Sequence, residues 1–208
     1  MRDPEAEEKE AWDEFYLTYG AAMVAWSRVE RELGTLFAVV TGMKPDLAMR
    51  VFYSARSFQG RLDMFRSAIA NGDMHENVRK ILKELLGLAK GYNSARNIMA
   101  HDLPQRDFRD GLTFGQVLLI DAKGMFQKDE IKAEFVQRAI TLSHLRVITE
   151  NFSRLASVTE MLWAVFPIKR AASHDKYLEL VLELPKIPHA RTRPKHAKPP
   201  LQPRRARQ

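Results

Sequence analysis

Arg96-Asn97-Ile98-Met99-Ala100-His101 places a guanidinium, a carboxamide and an imidazole within one short stretch of chain. Those groups suit chemistry at a phosphodiester. A neutral imidazole can take the proton from a hydroxyl as that hydroxyl attacks phosphorus, and a guanidinium stabilises charge growing on phosphoryl oxygens. A carboxamide beside them can orient either the imidazole or a phosphate oxygen. Asn93 and Asp102 flank the stretch and are auxiliary candidates, Asp102 as a group that could tune the imidazole.

The segment that must position these groups reads as a helix. Val78, Ile81, Leu82, Leu85, Ala89, Tyr92, Ala95 and Met99 recur at three-and-four spacing, and Pro104 requires the helix to stop before it. At about 100° per residue Arg96 falls on the apolar stripe, while Asn93, Asn97 and His101 form a neighbouring row with four-residue spacing. A guanidinium on that stripe needs a partner or an opening. The structural alternative is that Arg96 holds a carboxylate from another helix and that His101 interacts with the dipole of its own helix end.

Three further helices are expected. The first carries Trp12, Phe15, Tyr19, Met23, Trp26, Val29, Leu33 and Phe37 and ends near Thr41-Gly42. The second starts at Pro45-Asp46 and runs to Asn71-Gly72, with a break expected between Ser54 and Gly60. The last carries residues from Ile131 and Phe135 through Leu142, Leu145, Ile148, Phe152, Leu155 and Leu162, closing at Pro167. Between Asp107 and Asp129 the period changes, with turn signals at Asp110-Gly111 and Asp121 to Gly124 around a strand-like Thr113 to Ile120, so a small hairpin is expected there. Residues 174–184 read as a short helix or strand. The expected fold is mainly all-α: a four- to five-helix bundle with a β-hairpin insertion and a disordered C-terminal tail.

Charge separates that tail from the body. Residues 185–208 hold eight Lys or Arg, no Asp or Glu and six of the ten prolines, so residues 1–184 carry −1 although the whole chain carries +7. A segment of this composition cannot bury enough apolar surface to offset its ordering entropy. We therefore read a bundle domain over 1–184 and a basic tail over 185–208. Lys195, Lys198, Arg204, Arg205 and Arg207 would attract a polyanion, RNA first, or simply solubilise the chain. The tail has no aromatic residue to stack on bases, so sequence-specific recognition is not indicated.

Zero cysteines exclude disulfides, thiolate metal sites and a cysteine nucleophile. Glycine-rich phosphate loops, serine-nucleophile elbows and two-histidine zinc motifs are absent. No metal or cofactor is expected. No run approaches the ~18 apolar residues of a membrane span, and the acidic opening is unlike a secretory signal, so a cytoplasmic location is expected.

The stretch Arg96-Asn97-x-x-x-His101, late in a series of helices, resembles the signature of the HEPN superfamily. Arg138 to His144 and Arg191 to His196 fit the spacing but lack the asparagine. The resemblance would cover roughly residues 11–166. It implies a helical bundle, metal-independent endoribonuclease activity giving a 2′,3′-cyclic phosphate, and Arg96, Asn97 and His101 as the catalytic set. It further implies a homodimer that faces two motifs across a cleft, and it permits a protein partner such as the antitoxin of a toxin–antitoxin pair. Other members have lost cleavage, so an inactive RNA-binding or protein-interaction module is the alternative. His101-Asp102 is also similar to the paired ligands of HD-type metal phosphohydrolases, with His75 as a further ligand and Asp107, Asp110, Asp121 or Asp129 downstream.

Overall fold

The computed structural model describes residues 3–106, 117–121, 140–165 and 175–185. Six helices and one two-stranded sheet lie among them, which is the mainly helical bundle with a small hairpin that the patterning predicts. Helix α1 spans Pro4–Thr41: Asp3 caps it by accepting from the Glu5 amide at 3.1 Å, and Gly42 ends it at φ 68°, a conformation that costs a side-chain-bearing residue most. Helix α2, Pro45–Ser54, begins on a proline whose missing N–H costs nothing in a first turn. Helix α3, Phe58–Asn71, follows the expected break. The break lies at 55–57, and Gly60 belongs to the helix, where its amide donates to the capping hydroxyl of Ser57 at 3.0 Å.

Helix α4, Glu76–His101, starts at His75, whose Nδ1 accepts from the Asn77 amide. It passes into strand β1, Asp102–Arg106, with no loop between them. Strand β2, Val117–Asp121, pairs antiparallel with β1, Asp102 opposite Asp121 and Pro104 opposite Leu119. Leu119 exchanges both backbone hydrogen bonds with Ile140 on its other side. The position facing Pro104 is therefore a non-hydrogen-bonded one, and a residue without an N–H fits there at no cost.

Two expectations are corrected here. The hairpin starts at Asp102, five residues before the expected boundary, because Pro104 is a strand residue and not merely a helix stop. The last long helix, α5, begins at Leu142 and runs to Val165; Ile140 is a bridge residue. Thr141 sets the start. Its Oγ1 accepts from the His144 amide at 3.3 Å while its own N–H donates to His144 Nδ1 at 3.4 Å, a reciprocal cap with histidine in the usual Glu position. Ile131, Phe135 and the turns at Asp110-Gly111 and residues 122–124 lie outside the described residues. The short element of uncertain type is a helix, α6, Asp175–Leu182.

α1 and α5 form the main helix pair. Glu14 meets Arg146, Arg28 meets Glu160 at 2.5 Å, and Glu32 accepts from the Trp163 indole at 2.8 Å. The chain separations stay at 131 or 132 residues, so the two helices run parallel. α4 runs back against them, its last turn tied to α1 by the Tyr19 hydroxyl, which donates to the Met99 carbonyl at 3.1 Å. Trp26 sits at the centre with Phe58 and Phe152 rings about 5 Å away, and Phe37 gathers Phe52 and Phe65. Burying each of these rings stabilises the fold by roughly 1.5–3 kcal/mol.

Candidate functional site

The C-terminal turn of α4 carries the motif, and its buried stripe is Tyr92, Ala95 and Met99. Arg96 is half-buried one position off that stripe. Asn97 and His101 are exposed one turn apart on the same face; Asn93 is half-buried in the same row, and Asp102 is half-buried as the first residue of β1. Arg96 Nη1 donates to Asn97 Oδ1 at 3.2 Å, so the arginine does reach around to the polar row. With its carbonyl oxygen occupied, the Asn97 amide keeps its two N–H donors outward. Arg96 Nε is shielded from solvent and finds no protein acceptor.

Comparison with the other arginines makes Arg96 distinctive. Among the described residues the half-buried ones are Arg28, Arg61, Arg66, Arg79 and Arg96. Glu160, Glu30, Asp63 and Glu76 pair with the first four, at 2.5–3.3 Å. Arg96 joins no ion pair among the described residues, so the structural alternative of a carboxylate from another helix finds no support there. A half-buried guanidinium with a shielded Nε and no counter-charge among the described residues would suit an incoming anion.

His75 stands at the opposite end of α4 from His101. Twenty-six residues at 1.5 Å each separate them by roughly 39 Å, so the two imidazoles cannot share a metal ion. Among the described residues no group of three His, Asp or Glu is arranged to hold one. Asp107, Asp110 and Asp129 lie outside the described residues, as do Lys195, Lys198, Arg204, Arg205 and Arg207. Asp121 faces Asp102 across the ladder through its backbone.

Sequence reasoning missed a second polar cluster, on the middle of α1. Glu32 is only 4% exposed and accepts from Trp163 Nε1 and from Arg31, whose pKa is raised first by that hydrogen bond and then by the Glu32 charge. Glu30 accepts from Trp26 Nε1 at 3.1 Å and pairs with Arg61, which lies over the Tyr53 ring. Burial, and next the charge of Glu30, pushes the Tyr53 phenol up. Every charge named here has a partner, so the cluster reads as structure; the Trp26–Glu30 spacing was its one visible signal. A groove of about 430 Å³ between α5 and α6 is lined by Glu150, Glu183 and an Arg154 already paired with Glu150, a poor environment for an anion.

No helix among the described residues is long and apolar enough to cross a membrane. The fold and site together define a mainly helical bundle whose fourth helix ends on an Arg-Asn-x-x-x-His turn with exposed Asn97 and His101. No family model, curated protein or solved structure matches the chain.

Proposed function

We propose that this chain is an RNA-binding protein and a metal-independent endoribonuclease of the HEPN kind, acting through Arg96, Asn97 and His101. The observation that carries the reading is a half-buried arginine with no ion pair among the described residues, hydrogen-bonded to an exposed carboxamide one turn from an exposed imidazole. His101 takes the proton of a ribose 2′-OH. The 2′-oxygen attacks the adjacent phosphorus and the bond to the 5′-oxygen breaks, leaving a 2′,3′-cyclic phosphate and a 5′-hydroxyl. Arg96 and the outward amide of Asn97 stabilise the phosphoryl oxygens as charge builds on them. The imidazolium left by the first transfer holds the proton that the 5′-oxygen needs. A second imidazole from a facing copy, as the resemblance implies, would spare His101 from serving as both base and acid.

A second reading follows from the single imidazole per chain in this motif: an RNA-binding module that does not cleave, with the basic tail supplying most of the affinity. End-labelled single-stranded RNA incubated with the full chain in chelator separates the two. Cleavage to a cyclic phosphate, abolished by His101→Ala with binding retained, supports the enzyme. Intact RNA at every protein concentration, with tight salt-dependent binding, supports the module and overturns the enzyme.

A further inference from the structure

The packed side of α1 accounts for its core residues but leaves one stripe uncovered. Leu17 is 76% exposed and Val24 71%, the most exposed large apolar residues of the described chain. Between them lie Ala21, also exposed, and Gly20, at which an added Cβ would meet nothing within 4 Å. Counted at about 100° per residue from Tyr19, which faces α4, these four positions fall between about 100° and 200°. Glu10, Asp13, Arg28 and Arg31 fall in the same arc. The partners of α1 pack mainly elsewhere, α4 at Tyr19, α3 at Trp26 and Glu30, α2 at Gly34 and α5 at Glu14 and Glu32, with α5 also reaching Arg28 at the side of the arc through Glu160.

We propose that a second copy of this chain docks on this stripe, α1 antiparallel to α1, about a two-fold axis between Gly20 and Ala21. Around that centre the stripe is complementary to itself. Leu17 lies level with the partner's Val24, Asp13 with its Arg28 and Glu10 with its Arg31, each pair symmetric about the same point in the sequence. A parallel pairing would instead set Asp13 on Asp13 and Arg31 on Arg31, like charges that oppose association. The axis falls where side chains are smallest, which allows close helix approach, while Leu17 and Val24 supply the apolar contact on either side. Arg31 is exposed enough to bond both its own Glu32 and an incoming Glu10; Arg28 likewise keeps Glu160 while facing Asp13. The contact spans Glu10 to Arg31, roughly 32 Å of helix.

This surface lies on the side of α1 turned away from Tyr19 and Met99, so it is distinct from the motif and does not rest on the nuclease reading. The absence of cysteine from the chain makes it directly testable. Ala21→Cys is expected to cross-link to its own copy under mild oxidation. Leu17→Cys alone is not, because the two copies stand about 10 Å apart along the axis, beyond the ~7 Å Cα limit of a disulfide. An equal mixture of Leu17→Cys and Val24→Cys is expected to give the heterodimer. In sedimentation equilibrium the unmodified chain should dimerise and Val24→Glu should shift it at least tenfold toward monomer, with circular dichroism unchanged. A chain that stays monomeric at ~100 μM overturns the proposal. Self-cross-linking of Leu17→Cys, the signature of parallel pairing, overturns it equally.

Discussion

Replacing Arg96 by methionine separates a functional arginine from a structural one, because only the structural role predicts a large loss of stability. The substitution keeps an unbranched apolar stem of similar length at a position one turn from Tyr92 and Met99 on the same helix. It removes one hydrogen bond, from Nη1 to the exposed Asn97, which contributes about 0.5–1.5 kcal/mol. It also removes the shielded Nε donor that finds no protein acceptor, an arrangement that costs about 1–3 kcal/mol. The net runs from about 0.5 kcal/mol lost to about 2.5 kcal/mol gained, or a Tm between roughly 2 °C lower and 10 °C higher for a chain of this size. Cleavage, by contrast, should fall about 10²- to 10³-fold as the phosphoryl charge loses its donor. Urea denaturation and single-turnover cleavage of the same preparation read the two quantities. A variant destabilised by more than ~2 kcal/mol, or one that cleaves at the parental rate, would refute the reasoning. The first outcome would mean that Arg96 has a structural partner, the second that it never touches the phosphate.

Two smaller predictions concern the frame around the site. The Tyr92 hydroxyl donates to the Pro185 carbonyl at 2.6 Å, and burial pushes its pKa from 10 up to about 12. The folded state therefore holds this proton more tightly than the unfolded chain. The stability it contributes is present below about pH 10 and is lost as pH rises toward 12, on the order of 2 kcal/mol in all. Tyr92→Phe should cost about 1 kcal/mol at neutral pH and flatten stability between pH 10 and 12; an unchanged alkaline slope in urea titrations would contradict this. Thr141→Ala removes the hydroxyl that caps α5 and should cost about 0.5–2 kcal/mol in the same titrations, and no measurable loss would argue against the reciprocal cap with His144.

Helix ends were largely legible because local chemistry marks them. Gly42 in the left-handed region, Pro45 in a first turn and Ser57 ahead of Phe58 each act within a few residues of the boundary they set. The hairpin start was not legible. α4 passes straight into β1, and what makes Pro104 acceptable in a strand is the bonding of Leu119 to Ile140, a partner thirty-six residues away from the proline. Ile140 was obscured for the same reason, since an apolar residue next to a helical run carries no sign of a bridge formed elsewhere in the chain. The parallel pairing of α1 with α5 and the burial of Glu32 under Trp163 are also products of long-range packing. At the motif, spacing alone showed that Asn97 and His101 share a face. That Arg96 meets no carboxylate among the described residues could emerge only from where the other described helices place their acids.

That distribution of acids explains why the end of α4 can be both well positioned and chemically open. Among the described residues the four other half-buried arginines pair with carboxylates on α5, α1, α3 and α4, and the buried Glu32 is held by Trp163 and Arg31. The last turn of α4 is fixed by its buried Ala95 and Met99 side chains and by backbone bonds, not by Arg96, Asn97 or His101. The Tyr19 hydroxyl grips the Met99 carbonyl, the Asp102 amide closes back on the Ile98 carbonyl, and β1 continues directly into a paired ladder. Backbone bonds and core packing thus take up the positioning, and among the described residues Arg96, Asn97 and His101 join no carboxylate. Had the turn been held by an Arg96–carboxylate pair, the same rigidity would have consumed the cation that the proposed phosphate chemistry requires.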